Sequence, residues 1–406
     1  MTETATRPEG EERLVRGYGG RLLLLVSVGW LTIQGGRLVL SPLLPTIIRT
    51  LDVTPFRAGI ALSTLWGLYA LGQFPSGRLS DRLTRKTLLV GGLTLAVAGF
   101  AVLSAAVSYP LFLVGAAVVG VGAGLYPTAA RALISDHFET KRGGAFGLHT
   151  ASGDVGGGLA AGLAVAALAV ATWRAAFLPV VVILAVVAVV LHATSRESYH
   201  VEAVELDARG AARRLFADSR IRRLLVAYCL FAFAWQSTAG FLPTLLQFDK
   251  GFSPNVASAG FAGLFVVGAL VKPVAGRFAD RMRRAPVAAG ALAVGAVALT
   301  GLVLAEGRLA VGVATVVYAA GLMAFPPVMQ SYLMDVFPAD SMGADLGLAR
   351  TTYIGFGALG PSFVGFVAGR TDYVTAFAGL VVALVVAASI VAVESRPRGD
   401  AASRPE

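Results

Sequence analysis

The stretch Gly77–Lys86, with the sequence GRLSDRLTRK, separates two long apolar runs, and a related stretch recurs later in the chain. The second copy is Gly276–Arg284, with the sequence GRFADRMRR, and Gly276 follows Gly77 by 199 positions. The same offset aligns Pro55 with Pro254, Pro127 with Pro326, Asp136 with Asp335, and Phe138 with Phe337. A constant offset across several apolar runs predicts an internal repeat, so we expect two halves with one topology.

The composition places most of the chain in a lipid bilayer. Of its 406 residues, 56% are hydrophobic and only 14% are charged, and the mean hydropathy is +0.73. A soluble domain carries about a quarter charged residues, so the apolar surface here is too large for a water-soluble core. Twelve apolar runs of about 20 residues or more predict membrane-spanning helices. The predicted spans are 21–48, 57–78, 87–108, 110–133, 144–170, 173–194, 221–247, 255–276, 285–304, 309–332, 343–368 and 372–393.

These spans predict an all-α integral membrane protein with two pseudo-symmetric six-helix halves, 21–194 and 221–393. A polar linker, 195–220, joins the halves and has room for an amphipathic surface helix. Short tails, 1–20 and 394–406, complete the chain.

The basic residues indicate the orientation. Lys and Arg are concentrated in the loops on the side of the two termini, so we expect both termini in the cytoplasm and the protein in the plasma membrane. This bias accounts for the net charge of +10 without nucleic acid as a partner. A single cysteine, Cys229, excludes an intramolecular disulfide or a cysteine metal cluster. We expect no cofactor, no metal and no catalytic residue. No Gly-x-x-x-x-Gly-Lys-Ser/Thr motif is present, so ATP is not the expected energy source.

With twelve spans around it, the repeated loop motif resembles the Gly-x-Leu-Ala/Ser-Asp-Arg-x-Gly-Arg-Lys signature of the major facilitator superfamily. Thr84 stands where the family often has glycine. The resemblance implies two halves that rock around a central substrate site, with Asp81 closing the cytoplasmic side against the opposite half. The predicted gate residues are Gly77, Asp81, Arg82, Arg85, Gly276, Asp280, Arg281 and Arg284. The alternative is a basic loop that only orients the protein.

Two stretches depart from the pattern of proton-coupled drug exporters in this superfamily. Those exporters carry Arg-x-x-Gln-Gly near the start of helix four, where this chain has AAVVG at Ala116–Gly120. They also carry Gly-Pro-x-x-Gly-Gly in helix five, where this chain has GDVGGG at Gly153–Gly158, with Asp154 in place of proline. Both departures weaken a prediction of drug–proton antiport.

Two ionisable residues lie too deep in their spans to reach water easily. Arg37 is well inside helix one, and Asp154 is about 16 Å from the inner surface at the helical rise of 1.5 Å per residue. They must meet each other, cavity water or a ligand. One interpretation is a static ion pair between them. The other is that Arg37 holds an anionic group while Asp154 takes up a proton.

The remaining charges lie closer to the cytoplasmic helix ends. We expect Lys272 to extend its amine toward that surface. Arg131 and Arg350 are predicted to line the inner vestibule or to pair with acids at the gate. The candidate acids are Asp136, Asp335 and Asp345.

Helices one, four, seven and ten line the cavity in the resembled family. The polar and aromatic candidates there and on helix eleven are Trp30, Gln34, Tyr126, Trp235, Gln236, Tyr318, Gln330 and Tyr353. Each has a structural alternative, as an interfacial anchor or an interhelical hydrogen bond. His149 on helix five is more typical of a packing histidine than of a titrating one.

These observations predict secondary active transport of a small solute by alternating access in a monomer. A small organic or inorganic anion beside Arg37 is the favoured substrate, with protons as the coupling ion. The alternative is proton-driven efflux of lipophilic or cationic compounds, with Asp154 as the counter-charge. A non-transporting membrane sensor on the same fold is a minor alternative. A membrane-embedded enzyme would need a convergent set of catalytic groups at one depth, and the sequence shows no such set.

Overall fold

The structure is a computed structural model that describes residues 14–200, 208–338 and 342–394, with side chains except at 74–82, 208, 209, 211, 214 and 342–344. The described residues form fifteen α-helices and one 3₁₀ helix, and they contain no strand. The helices are α1 (Gly17–Leu38), α2 (Leu40–Thr50), α3 (Pro55–Arg82), α4 (Arg85–Ser104), α5 (Tyr109–His137), α6 (Arg142–Val170), the 3₁₀ helix (Trp173–Ala176), α7 (Phe177–Thr194), α8 (Ala208–Ala217), α9 (Ser219–Phe248), α10 (Pro254–Arg281), α11 (Arg284–Leu304), α12 (Arg308–Val336), α13 (Met342–Gly357), α14 (Leu359–Ala368) and α15 (Tyr373–Glu394).

Eleven helical segments in the described part are long and apolar enough to cross a membrane, and α3 is a further 28-residue helix between two of them. Helices α1 and α2 form one continuous segment, as do α13 and α14. The prediction of an all-α fold with twelve spans is confirmed. Helix α8 lies in the linker between the sixth and seventh spans.

Prolines explain the two interrupted spans. Pro42 lies near the start of α2 and Pro361 near the start of α14. Neither has an N–H to donate to the carbonyl four residues earlier, at Leu38 and Gly357. Each of those carbonyls belongs to the last residue of the preceding helix, so the regular ladder stops there and a new helix begins.

Side-chain caps fix the starts of several spans. The Thr84 hydroxyl accepts a hydrogen bond from the Thr87 N–H at the start of α4, 3.3 Å away. Asp218 accepts two backbone N–H groups at the start of α9, and Ser253 accepts one at the start of α10. These residues satisfy N–H groups that a helix leaves unpaired. Thr84 therefore has a local structural role at the position where the family often has glycine.

The internal repeat is visible as a repeated contact. Arg85 forms an ion pair with Asp136 in the first half, with Nε and Oδ2 3.0 Å apart. Arg284 forms an ion pair with Asp335 in the second half. Both partners of the second pair follow those of the first by 199 positions. The same contact ties α4 to the end of α5 and α11 to the end of α12, which confirms the pseudo-symmetry.

An even number of spans places the start of α1 and the end of α15 at one end of the bundle, called here the terminal end, and the opposite end is called the distal end. The halves pack α3 against α13 and α14, α6 against α10, and α2 against α9. Toward the distal end, the Ser63 and Ser362 hydroxyls are 2.7 Å apart and the Ser41 hydroxyl donates to the Gly240 carbonyl, 3.2 Å away. Hydrogen bonds between the halves therefore close the bundle on that side.

Candidate substrate site

Arg37 lies in the last turn of α1, and its side chain is buried, with only 4% of the residue exposed. Its guanidinium carbon is 4.6 Å from the ring centroid of Trp66 and 4.0 Å from that of Tyr69. Its Nη2 donates to the side-chain carbonyl of Gln34. Among the described residues, its Nε and Nη1 have no hydrogen-bond partner. The aromatic faces stabilise the cation but leave two of its donor nitrogens unsatisfied.

The face of α3 that meets Arg37 was missed in the sequence. Trp66, Tyr69 and Gln73 are spaced three and four residues apart, which puts them on one face of the helix. Gln73 is buried, and within the described part neither its amide nitrogen nor its oxygen has a partner. The spacing of two aromatic residues and an amide along an otherwise apolar helix is the signal that would have identified this face.

Two more arginines lie on helices that pack against α3. Arg131 on α5 and Arg350 on α13 are half-buried and come from different halves. Tyr69 is an electrostatic neighbour of Arg37, Arg131 and Arg350 together. Arg131 and Arg350 also act on each other as like charges. We call Arg37, Arg131, Arg350 and Tyr69 the arginine cluster.

The arginine cluster forms no ion pair with any described carboxylate. Arg131 donates from Nε to the Pro127 carbonyl, 3.1 Å away, and Arg350 Nε has no partner in the described part. Pairing of Arg131 or Arg350 with Asp136 or Asp335 is wrong, because Arg85 and Arg284 bind those two acids. The cluster is therefore a concentration of positive charge inside the bundle.

Asp154 has a different partner from the predicted one. Lys272 Nζ lies 2.7 Å from Asp154 Oδ1 and 2.8 Å from Oδ2, and the pair joins α6 to α10 across the two halves. The interpretation of a static Arg37–Asp154 ion pair is wrong, because Arg37 packs on α3 and Asp154 pairs with Lys272. The predicted extension of Lys272 toward the surface is also wrong. Helices α6 and α10 pack together, so the nearest counter-charge to Lys272 is across the interface.

The wall beside Asp154 contains a further unsatisfied group. His149 is buried, and its ring centroid is 6.0 Å from that of Trp30. Its Nδ1 has no hydrogen-bond partner among the described residues. Gly153 packs closely against Trp30, so α6 approaches α1 at this level. His149 is thus a packing residue with one ring nitrogen that no described residue satisfies.

Three predicted cavity residues make interhelical hydrogen bonds instead. The Tyr126 hydroxyl donates to the Val26 carbonyl, 2.9 Å away. The Tyr318 and Thr238 hydroxyls are 2.7 Å apart. Gln236 donates from Nε2 to a backbone carbonyl of α13, 3.0 Å away. All three side chains are buried, so the structural alternative describes them better.

Other predicted residues remain nearer to open space. Tyr353 stacks on Tyr228 with ring centroids 3.8 Å apart, and both are electrostatic neighbours of Arg350 in the arginine cluster. Trp235 packs edge to face on Phe265. Gln330 is exposed on α12.

Of the predicted gate residues in the first copy, only Arg85 has a described side chain, and it pairs with Asp136. The surroundings of Gly77 and the side chains of Asp81 and Arg82 lie outside what the structure describes. Asp280 and Arg281 are exposed at the end of α10. Gly276 is half-buried with open space beside it, and Asp345 is buried near the start of α13.

Comparison with known families identifies the fold. Residues 26–361 and 224–406 match the family model described as Major Facilitator Superfamily. The chain belongs to the Major Facilitator Superfamily. It is therefore a multi-pass membrane transporter, in a family whose members bind small-molecule substrates and often couple transport to protons.

Solved structures of this superfamily superpose on most of the chain. A bacterial homologue of the human lysosomal transporter Spinster, inward-facing and occupied, gives a TM-score of 0.81 at 18% identity, over 94% of this chain and 97% of that one. A mutant of the nucleoside transporter NupG superposes with a TM-score of 0.77 and 14% sequence identity, over 94% of this chain and 100% of that one. A D-xylose–proton symporter superposes with a TM-score of 0.75 and 14% identity, over 92% of this chain and 97% of that one. At these identities the likeness shows the fold alone. A search of curated proteins gave no match.

Proposed function

We propose that this transporter moves a small anion across the plasma membrane by alternating access, coupled to protons. The observation that carries the proposal is Arg37, a buried guanidinium with two donor nitrogens that no described residue satisfies.

An unpaired cation is costly to bury, and each unsatisfied N–H adds to that cost. The neutral amide of Gln34 accepts only one hydrogen bond from Arg37. The aromatic rings of Trp66 and Tyr69 attract the cation but leave its Nε and Nη1 without a hydrogen-bond partner in the described part. An anion that enters the site supplies both the charge and the acceptors, and guanidinium groups match oxyanions in geometry.

The proposed proton site is Asp154. Protonation removes the charge that holds Lys272 and so breaks the ion pair between α6 and α10. Because these helices belong to different halves, the protonation state biases how the halves rock. The D-xylose–proton symporter among the structural neighbours supports proton coupling on this fold. Efflux of cations with Asp154 as counter-charge is less favoured, because Lys272 already occupies that carboxylate.

We place the terminal end in the cytoplasm, following the basic loops on that side. The hydrogen bonds near the distal end then close the outer side, and the site is reached from the cytoplasm. The superposed Spinster homologue is described as inward-facing, which supports this state. Asp81 and Asp280 remain the proposed braces for the opposite state, in which the cytoplasmic side closes. We propose a monomer as the working unit.

Thermal shift of purified protein in detergent tests the substrate class. Wild type is compared with Arg37→Gln, against carboxylates, inorganic oxyanions, sugars and hydrophobic cations. Arg49→Gln is the control, because Arg49 is an exposed arginine on the adjoining helix α2. A ligand that binds the native state raises the melting temperature by mass action.

We expect anions to stabilise wild type and Arg49→Gln, and to have no effect on Arg37→Gln. Ligand-free Arg37→Gln should melt at or above the wild-type temperature, because the substitution removes an unpaired buried charge. Stabilisation by cations that survives Arg37→Gln would contradict the anion proposal and favour efflux.

A further inference from the structure

We propose that a groove between α10 and α11, near the terminal end, binds one anionic phospholipid. An acyl chain lies in the groove, and the phosphate lies at a rim of arginines where the groove opens to the membrane surface. This inference goes beyond the proposed function and does not depend on it.

The groove is an apolar depression on the outer surface of the second half. Helices α10 and α11 both pack along α12 and barely touch each other, so a gap remains between them with α12 as its floor. The volume of the groove is about 290 Å³. Its lining residues include Val274 and Phe278 from α10, Val287 and Gly290 from α11, and Gly321 and Ala324 from α12.

The groove has the depth of one lipid leaflet. Helix α11 rises about 10 Å from Val287 to Val294, and half of the hydrocarbon core of a bilayer is about 15 Å thick. A second groove, of about 870 Å³, begins at Val294 and follows α11 and α12 to Ala305 and Leu309 at the distal end. Each groove therefore faces the acyl chains of a different leaflet.

Arginines surround the opening of the terminal groove. Arg281 follows Phe278 by three residues, and Arg283 precedes Val287 by four, so each lies one turn outside the apolar lining on the same side of the chain. Both are exposed, and so is Arg277, one turn back on α10. We call Arg277, Arg281 and Arg283 the basic rim.

The basic rim has an excess of positive charge. None of its three arginines forms an ion pair within the described part of the chain. Arg284 beside them is bound to Asp335, and Asp280 is the one acid between Arg277 and Arg284 in the sequence. Basic clusters at this depth attract anionic lipids, and guanidinium groups match the oxygens of a phosphate in geometry.

The first half has a carboxylate at the equivalent place. Glu197 accepts a hydrogen bond from the Lys86 N–H at the start of α4, 2.9 Å away. The repeat offset aligns Lys86 with Ala285 at the start of α11, and it aligns Glu197 with Arg396, which lies outside the described residues. Arg283 makes no side-chain cap there. The sequence thus supplies an acid to the first half and a further base to the second, where a lipid phosphate supplies the negative charge.

An anionic lipid matches the apolar groove and the basic rim together. Its chain remains within one leaflet, and arginine side chains can extend to the level of its phosphate. A zwitterionic lipid neutralises its phosphate with its own ammonium group, so the rim attracts it less. A second copy of this chain is a poorer occupant, because two-fold symmetry would place two basic rims against each other.

Native mass spectrometry of the purified protein in detergent tests the inference. Dioleoylphosphatidylglycerol is the anionic lipid, and dioleoylphosphatidylcholine has the same chains without net charge. Glycerophosphate has a phosphate without chains. The rim variant is Arg281→Gln/Arg283→Gln, with Arg277→Gln/Arg283→Gln as a substitute if it fails to fold. Arg308→Gln is the control, because Arg308 is an exposed arginine at the distal end.

Gly290→Leu tests the groove itself. A Cβ at Gly290 meets no atom within 4 Å, so the leucine side chain occupies the groove without a clash. Gly312→Leu is the matched control, because Gly312 is an exposed glycine of α12 with the same open space and lines neither groove. Gly290→Val replaces the leucine variant if that variant fails to fold.

We expect wild type to bind phosphatidylglycerol at least about tenfold more tightly than phosphatidylcholine. The preference should fall to about threefold or less in the rim variant and persist in Arg308→Gln. Gly290→Leu should weaken the binding of both lipids at least about fivefold, and Gly312→Leu should leave it unchanged. Arg37→Gln should bind phosphatidylglycerol as wild type does, so failure of the proposed function leaves this test intact.

Equal binding of the two lipids by wild type, or a preference that persists in the rim variant, would overturn the role of the arginines. Unchanged lipid binding in Gly290→Leu would overturn the groove as the site. Glycerophosphate that binds as tightly as phosphatidylglycerol would overturn the lipid as occupant. A dimer that Gly290→Leu dissociates would also overturn it and assign the groove to a second copy.

Discussion

Separating Lys272 from Asp154 should cost the protein measurable stability. The two side chains are joined by contacts of 2.7 and 2.8 Å across the interface between the halves. Lys272→Met leaves the carboxylate without its partner, and Asp154→Asn leaves the amine without its own. The double substitution removes both charges together, so the three variants form a thermodynamic cycle with wild type.

The solvent exposure of Lys272 and Asp154 determines how much stability is lost when their ion pair is broken. The side chains are 30% and 28% exposed, so water screens part of their interaction. Exposed ion pairs contribute about 0.2–1 kcal/mol, and breaking a fully buried pair costs about 3–5 kcal/mol. For this partly exposed pair we expect each single substitution to cost about 1–2 kcal/mol. With an unfolding entropy of about 2.1 cal/mol/K per residue, this corresponds to a fall of about 1–2 °C in the melting temperature of a 406-residue chain.

Thermal unfolding of the four proteins in one detergent measures the cycle. The double variant should recover most of the loss caused by either single substitution. Arg85 and Asp136 provide a control cycle, because that pair lies within one half and is 20% and 45% exposed. The coupling energy between Arg85 and Asp136 should be smaller than that between Lys272 and Asp154. Additive effects of Lys272→Met and Asp154→Asn would refute the reasoning, because independent side chains show no coupling.

Three further predictions concern packing and the two ends of the bundle. Gly156→Leu should lower the free energy of unfolding by about 1–3 kcal/mol, because any Cβ there meets the Leu31 carbonyl. An unchanged melting temperature would contradict the packing of α6 on α1. Cysteines at Ser63 and Ser362, in a background without the natural cysteine, should cross-link on mild oxidation and block transport, whereas failure to cross-link would contradict distal closure. Asp81→Asn should increase cysteine labelling at the terminal end, and unchanged labelling at both ends would contradict its role as a brace.

The fold could be predicted because lipid imposes strong rules on sequence. A span requires about 20 apolar residues, so the twelve helices are visible as runs. The repeat offset also predicted contacts, since Arg85 and Asp136 align with Arg284 and Asp335 and form equivalent ion pairs. Each of these contacts lies within a single half, between two helices that are consecutive in the chain.

The partners of the deep charges could not be predicted in the same way. Depth along a span can be counted in residues, and the count placed Arg37 inside the bundle, where its side chain is buried. Partner choice depends on helix rotation, which changes by about 100° with each residue, and on which helices of opposite halves pack together. The sequence has no direct signal for either quantity. Arg37 therefore meets Tyr69 instead of Asp154, and Asp154 meets Lys272.

Trp66 offers the most direct test of the central claim, that an anion binds at Arg37. Its ring lies 4.6 Å from the Arg37 guanidinium carbon, so a nitro-substituted ligand bound there should quench its fluorescence. We predict saturable quenching of the purified protein by 4-nitrophenyl phosphate, lost in both Trp66→Phe and Arg37→Gln, and no such quenching by the cation 4-nitrobenzylamine. Quenching that persists in Arg37→Gln, or equal quenching by the cation, would contradict the account.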